Sequence, residues 1–418
     1  MHYHARVDLL EPVVQPYAWG SHTAIAELQG RPAPTAAPEA ELWMGAHPSA
    51  PSGVRRPGGR TTLDRVIAAD PPRELGAACA ARFGGRLPFL LKVLAAEAAL
   101  SIQVHPSREQ AEAGYRAETA RGLPPGDKSR NYVDDWPKPE ILCALTRFEV
   151  LAGMRTTADA AALLGALRVR ELDPLVADLA AAAGRGGRGG RGGQGGEDTA
   201  LTGALGAILT WPAEGRAALV AAVTAGCERI AAADGEYSAA AAATVRIAGD
   251  HPGDLGIVAS LLLRHLVLQP GEAVFLPAGG PHSYLHGTGI ELLANSDNVV
   301  RAGLTPKHID VPELLRLVDP AAAVPVIEPR PDGAGVLAYD SPAPEFRLYR
   351  AEPGPADVTL PGGGGPRIVL CTAGAGLLRA GAVTLRLARG ESCYLSAAEE
   401  MVTASGPASL FVAGCGRE

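Results

Sequence analysis

The chain has 418 residues, with 38 Lys and Arg against 45 Asp and Glu for a formal net charge of −7. That length exceeds a single hydrophobic core of ordinary size, so two or three domains are expected, and a mildly acidic chain without basic runs interleaved with aromatics has no nucleic-acid-binding footprint. No apolar run approaches the roughly 20 residues that cross a bilayer, the first residues lack the apolar core of a signal peptide, and six cysteines without a C-x-x-C pair suit free thiols in a reducing cytosol. A cytoplasmic protein with neither nucleic-acid nor membrane partner is expected.

From the N-terminus to about residue 150, short strand-like runs alternate with turn residues. Val13 to Gly20 leads into Tyr17-Ala18-Trp19-Gly20-Ser21, and Glu41-Leu42-Trp43-Met44-Gly45 is followed by His47-Pro48. Helical spacing covers 61–69 and 77–83, and Leu87 to Leu94 reads as a buried strand. It runs on to Leu100-Ser101-Ile102-Gln103-Val104-His105-Pro106, whose alternation predicts a strand with Leu100, Ile102 and Val104 on one face and Ser101, Gln103 and His105 on the other. An ordinary half-buried strand has the same pattern, so its meaning depends on what else converges there. In Asn131 to Glu140, Pro137 and Pro139 bar a helix and impose extended geometry. Lys138 and Glu140 are thereby presented to one side, which in isolation reads as a solvated ion pair.

Between about 151 and 250 the sequence turns Ala- and Leu-rich with helical spacing. Inside it lies the tract 184–196, mostly Gly with three Arg, predicted to be a flexible surface loop and a tolerated insertion rather than an RNA contact. Strands resume at Leu266-Val267-Leu268 and, after Gln269-Pro270-Gly271-Glu272, at Ala273 to Pro277. His282 and His286 have the i, i+4 spacing of a zinc-binding helix, but Gly279, Gly280, Pro281, Gly287 and Gly289 around them argue for a strand. His282 is then a ligand candidate, and His286 a pocket-wall or surface residue. From about 316 an internal repeat emerges: Leu385 to Leu395 parallels Leu266 to Leu276 when Gly390 is set on Gly271. Counting on, His282 falls opposite Met401. Strand, Gly-Glu turn, strand units predict double-sheet jelly rolls. The expected fold is mainly β, with one jelly roll from 1–150 and 251–315, a helical insertion at 151–250, and a second jelly roll at 316–418 without a metal site.

Gln103, His105, Glu140 and His282 together offer two imidazoles, a carboxylate and an amide oxygen, a set suited to Zn²⁺ or a similar divalent ion. Ser101 to Pro106, Lys138-Pro139-Glu140, Pro277 to His282 and above all Asn295-Ser296-Asp297-Asn298-Val299-Val300-Arg301-Ala302-Gly303-Leu304-Thr305-Pro306-Lys307 closely resemble type I mannose-6-phosphate isomerases, as do the Tyr17 to Ser21 and Glu41 to Gly45 segments. The resemblance implies two cupin-like jelly rolls plus an α-helical domain, one Zn²⁺ held by Gln103, His105, Glu140 and His282, and interconversion of mannose 6-phosphate and fructose 6-phosphate through an enediol, feeding GDP-mannose biosynthesis. It puts the family's essential arginine on Arg301 and its pocket lysine on Lys138. Lys138 is the favoured base, since a nearby divalent cation favours its neutral, proton-accepting form. Glu291 and Asp297 are the other proton carriers, or the partner that orients Arg301. Ser101, Arg301, Lys307 and, more weakly, Lys92 are the phosphate candidates. A phosphosugar substrate, no macromolecular partner and a monomer are expected. One departure stands out: the family usually has a His before Lys-Pro-Glu, where this chain has Pro137, so ring opening falls to the metal, Asp297 or another group. Alternatives are an isomerase of another phosphosugar, a non-haem iron oxygenase, which the amide of Gln103 and the Lys/Arg pocket fit less well, or a non-catalytic sugar-binding protein of the same fold, which would lack the Lys138 and Arg301 retained here.

Overall fold

The computed structural model describes residues 7–56, 58–186 and 191–416. Its strands form two antiparallel systems, of 11 and 12 strands, with a block of helices set between the strands Phe148–Met154 and Leu263–Leu268. Among the described residues no helix is long and apolar enough to cross a membrane.

The 11-stranded system is organised around His282–Ala294. The C-terminal half of this strand pairs with Phe89–Ala96 and Glu140–Ala144, its N-terminal half with Phe148–Met154, and His282 itself lies opposite Gln103. The strand changes partners at a register shift between Tyr284 and His286. There Gly287 holds φ at 127° and a Cβ would sit 2.7 Å from the Arg147 carbonyl oxygen. Only glycine supplies that conformation and that approach, and the bend it permits lets one strand close both sheets of a jelly roll.

The expected seven-residue strand over 100–106 is shorter: only Gln103–Val104 pairs as a strand, against Val300–Arg301. The alternation survives in part. Ile102, Val104, Val300 and Leu304 are buried in the core of the helical block, whereas Leu100 packs with Phe148 and Tyr284 inside the barrel. The two short strands are therefore pressed between two cores, with Gln103 and Arg301 left facing a cavity.

The helical block runs from Thr157–Ala166 to Gly256–Ser260, starting where the Thr156 hydroxyl accepts the Asp159 N–H as an N-cap. It begins and ends later than the predicted 151–250. The predicted loop at 184–196 is also corrected, because helices Asp173–Gly186 and Arg191–Leu209 extend into the tract from either side. Residues 187–190 lie outside the described residues. Composition alone misread the tract: no Cβ at Gly184, Gly195 or Gly196 would meet a neighbour, so glycine there reflects open surroundings at helix ends.

The domain boundaries shift as well. Val7–Glu11 pairs with Ser392–Leu395 and with Gly53–Arg56, so the first strand and the paired strands Gly53–Arg56 and Gly59–Thr62 belong to the C-terminal sheet system rather than to the 1–150 unit. In return Val326–Ile327 pairs with Ala273–Val274 of the first jelly roll. A continuous apolar cluster containing Leu10, Leu42, Phe89, Phe346, Tyr394 and Phe411 joins the two jelly rolls.

Candidate active site

His105, Glu140 and His282 converge from three separate segments, all buried, with their ligand atoms within 4.8 Å of one another. Backbone pairing brings them together: Glu140 lies opposite both Leu276 and Leu293, and His282 lies opposite Gln103. The Nδ1 of His105 is 2.8 Å from the Asn298 carbonyl and that of His282 is 3.1 Å from the Gly280 carbonyl. A carbonyl can only accept, so each Nδ1 carries the proton and each Nε2 turns a lone pair inward. His105 Nε2 is buried without a hydrogen bond, yet Glu140 Oε1 is 3.3 Å away, and Glu140 Oε2 stands 3.5 Å from His282 Nε2. Facing acceptors of this kind are the arrangement a cation resolves, and the carbonyl-held tautomers are those of metal-binding imidazoles. Burial drives the His105 pKa down to about 4, against the opposing charge of Glu140, which keeps the ring in its ligand form. Burial also pushes the Glu140 carboxyl up, but the Lys138 ammonium beside it outweighs this and holds it well below the usual carboxylate range. The residues present fit a divalent ion.

Beside this cluster opens a cavity of about 560 Å³, a volume ordinary for a small-molecule site. Gln103, Lys138, Asp297, Arg301, Ser101, Lys307 and Lys92 all line it, together with Tyr17, Trp19, Glu41 and Trp43 from the N-terminal segments. Lys138 Nζ is 3.3 Å from Glu140 Oε1 and so links the cavity wall to the cluster. Glu291 does not line the cavity; it lies behind Lys92, whose Nζ is 3.1 Å from Glu291 Oε2 and 3.5 Å from Glu41 Oε1.

A family model describing the catalytic domain of type I phosphomannose isomerase matches residues 8–157. The chain is 37% identical to mannose-6-phosphate isomerase of Escherichia coli over 95% of its length and 96% of that protein. It is 35% identical to the Bos taurus enzyme, over 83% of this chain and 82% of the other. The chain belongs to the mannose-6-phosphate isomerase family. Its fold matches the crystal structure of a mutant phosphomannose isomerase from Salmonella typhimurium with a TM-score of 0.86 and 35% identity, covering 98% of this chain and 100% of that one. A zinc-bound mannose 6-phosphate isomerase matches with a TM-score of 0.84 and 35% identity, over 98% and 100% of the two chains.

Within this mannose-6-phosphate isomerase fold, neither proposed partner of Arg301 pairs with it. Glu291 is engaged by Lys92, and Asp297 Oδ1 lies 3.3 Å from His47 Nε2. Burial lowers the Arg301 pKa with no carboxylate opposing it, and Lys307 is lowered by burial and then by the charge of Arg301. Among the described residues neither cation has an ion-pair partner, and two such cations on one wall call for an anion. Burial raises the Glu291 carboxyl despite the nearby Lys92. Lys92 is raised, because Glu291 and Glu41 outweigh the effect of its burial. Lys92, the weaker of the phosphate candidates, is thus held by two carboxylates. For Asp297, burial pushes up, but the hydrogen bond and charge of His47 outweigh it, and the group titrates below its ordinary value.

Sequence reasoning passed over two residues. His47, whose Nδ1 pairs with Ser49 Oγ at 2.8 Å, holds Asp297, and the His47-Pro48 step after Glu41 to Gly45 was its only trace. Asn298 is fully buried. Its Oδ1 accepts the Val133 N–H at 2.7 Å and its Nδ2 donates to the Asp134 and Trp136 carbonyls at 2.8 Å, while its own carbonyl fixes the His105 tautomer. One asparagine therefore ties the Lys138-bearing segment to a candidate metal ligand.

Proposed function

We infer that the chain is a zinc-dependent aldose–ketose isomerase that interconverts D-mannose 6-phosphate and D-fructose 6-phosphate. One observation carries the reading: the inward-facing acceptors of His105, Glu140 and His282 lie directly behind the Gln103 and Lys138 wall of the cavity that Arg301 also lines. The first group demands a divalent cation and the second an anionic substrate. Gln103, His105, Glu140 and His282 would hold the zinc, which when bound supplies Lewis-acid polarisation of the sugar oxygens.

The chain's own groups account for the rest. Ser101, Arg301 and Lys307 bind the phosphate. Asp297, half exposed to the cavity and steadied by His47, takes the anomeric hydroxyl proton and delivers it to the ring oxygen as the bond from C1 to that oxygen breaks, a transfer that Pro137, without an ionisable side chain, cannot make. Lys138 carries the proton between C1 and C2 of the open chain, and the second carboxylate candidate, Glu291, acts through Lys92 rather than on the sugar. Arg301, reaching the cavity without a counter-charge, also stabilises the developing enediolate. We take the protein to act as a monomer, and the free cysteines suit the cytoplasm.

The test is a coupled assay for fructose 6-phosphate formed from mannose 6-phosphate, run before and after chelation. Turnover that disappears with the metal and returns with Zn²⁺ is expected. Turnover indifferent to metal removal, or a folded zinc-loaded protein without turnover, would overturn the reading.

A further inference from the structure

The cavity wall that carries the cations is not built by the jelly roll alone. Ser101 lies two residues after Ala99, and Arg301 and Lys307 flank Leu304 and Thr305. These two segments pair with each other, the Ile102 N–H donating to the Gly303 carbonyl at 3.1 Å and the Ala302 N–H to the Ile102 carbonyl at 2.8 Å. Both are gripped by one corner of the helical block, between helices Ser238–Asp250 and Gly256–Ser260, where Asp250 and His251 also reach the cavity. Asp250 Oδ2 accepts the Ala99 N–H at 3.0 Å and His251 Nε2 donates to the Ala99 carbonyl at 2.8 Å. Asp254 Oδ2 accepts the Thr305 N–H at 3.1 Å while its Oδ1 accepts the Gly256 N–H at 2.6 Å.

The backbone at this corner is under constraint. Leu304 is fully buried with φ at +56°, a left-handed conformation that costs a leucine about 1 kcal/mol or more. Gly303 holds φ at 128°, and a Cβ on it would sit 2.6 Å from Gly256 Cα. A conformation of this kind persists only where its surroundings over-determine it; the Ile102 bond to Gly303 fixes one side of Leu304 and the Asp254 bridge to Thr305 the other. An aspartate beside an anion site is otherwise unfavourable, but both Asp254 oxygens are engaged by backbone N–H groups, which fits a holding role rather than contact with the ligand.

We propose that the corner at 250–256 of the helical block positions the phosphate-binding wall, with Asp254 as the positioning residue that sets the Leu304 to Lys307 turn and Asp250 and His251 fixing the Ser101 segment. The proposal rests on the reading of Ser101, Arg301 and Lys307 as phosphate ligands. It gives the helical insertion a task in substrate recognition, in addition to covering the barrel.

The probe is inorganic phosphate as a competitive inhibitor of the zinc-loaded enzyme, read with KM and kcat for mannose 6-phosphate. Asp254→Ala should raise KM and the phosphate Ki together by about tenfold, the worth of one well-placed hydrogen bond, with kcat and zinc content unchanged. Asp254→Asn keeps one acceptor and should fall between, a graded rescue that a general loss of folding does not give. His251→Ala reads the Ser101 side in the same way should Asp254→Ala fail to fold. Lys307→Ala separates the two levels. A Ki raised by Lys307→Ala but untouched by the Asp254 variants overturns this inference, and a Ki that Lys307→Ala leaves unchanged overturns the phosphate reading and this inference with it.

Discussion

The two jelly rolls repeat one turn bond for bond. Gly271 and Gly390 hold φ at 93° and 83°. Glu272 accepts the Gln269 N–H through its side chain at 2.7 Å, and Glu391 does the same for Ala388 at 2.7 Å. The glycine N–H groups donate to Ala144 and to Cys371, each at 2.8 Å. Five residues past each glycine a leucine faces the neighbouring strand, but Leu276 lies opposite Glu140 whereas Leu395 lies opposite Arg367. The bare copy therefore buries a cation where the other holds its ligand carboxylate. Farther along, the position of His282 is taken by Met401, which is 72% exposed. The scaffold is set by turn chemistry and ladder register, and the metal site by side chains at two positions that the scaffold tolerates either way.

Exchanging those side chains is the most damaging way to probe the comparison. Glu140→Arg, which writes the C-terminal residue into the N-terminal copy, should abolish zinc binding and lower kcat by about a thousandfold or more, since it removes a charged ligand and adds a repelling cation. Glu140→Gln keeps the volume and should still lose most of the metal, as read by metal analysis on folded protein. Retention of stoichiometric zinc by both variants would break the assignment of Glu140. The turn glycines should separate the copies by stability. Gly271→Ala meets only Arg350 Nη1 at 3.6 Å and should cost about 1 kcal/mol for its left-handed backbone. At Gly390 a Cβ would sit 2.6 Å from both Gln29 Cα and Leu28 O, so Gly390→Ala should cost about 2 kcal/mol or more by chemical denaturation. Equal costs would mean the second turn is not wedged against the Ala24–Leu28 helix. Smaller again, Asn298→Ala leaves every ligand in place but frees the Val133 to Trp136 segment, and zinc affinity should fall about tenfold, measured by competition with a chelator.

What was legible in the sequence is what local chemistry dictates. The strand, Gly-Glu turn, strand repeat was readable because a left-handed turn demands its glycine, and His282 was placed on a strand because glycines and a proline exclude a helix around it. The pairing of Val7–Glu11 with Ser392–Leu395 was not readable, because antiparallel pairing across the length of the chain leaves no mark beyond alternation. His47, Asn298 and Asp254 were missed for a related reason. Each is a single polar residue whose partner lies far away in sequence, and nothing in its neighbours announces the partner. The helical reach into the 184–196 tract was hidden by composition, since glycine disfavours a helix without forbidding its ends.

The smallest effect belongs to the bare copy. Arg367 is fully buried and its guanidinium donates to the Pro361 and Glu399 carbonyls, while its Nε has no hydrogen bond and burial lowers its pKa to about 10. Arg367→Met removes the cost of burying a charge but loses the hydrogen bonds to the Pro361 and Glu399 carbonyls, so the opposing terms should nearly cancel and leave about 1 kcal/mol of destabilisation. Zinc content, KM and kcat should not change, because Arg367 lies in the jelly roll that carries none of the assigned ligands. A shift in Tm with unaltered kinetics keeps the two copies functionally separate. A change in KM or kcat in folded Arg367→Met would mean that the shared core between the jelly rolls transmits packing at the bare position to the site, and the second copy would then be part of the catalytic unit rather than a scaffold beside it.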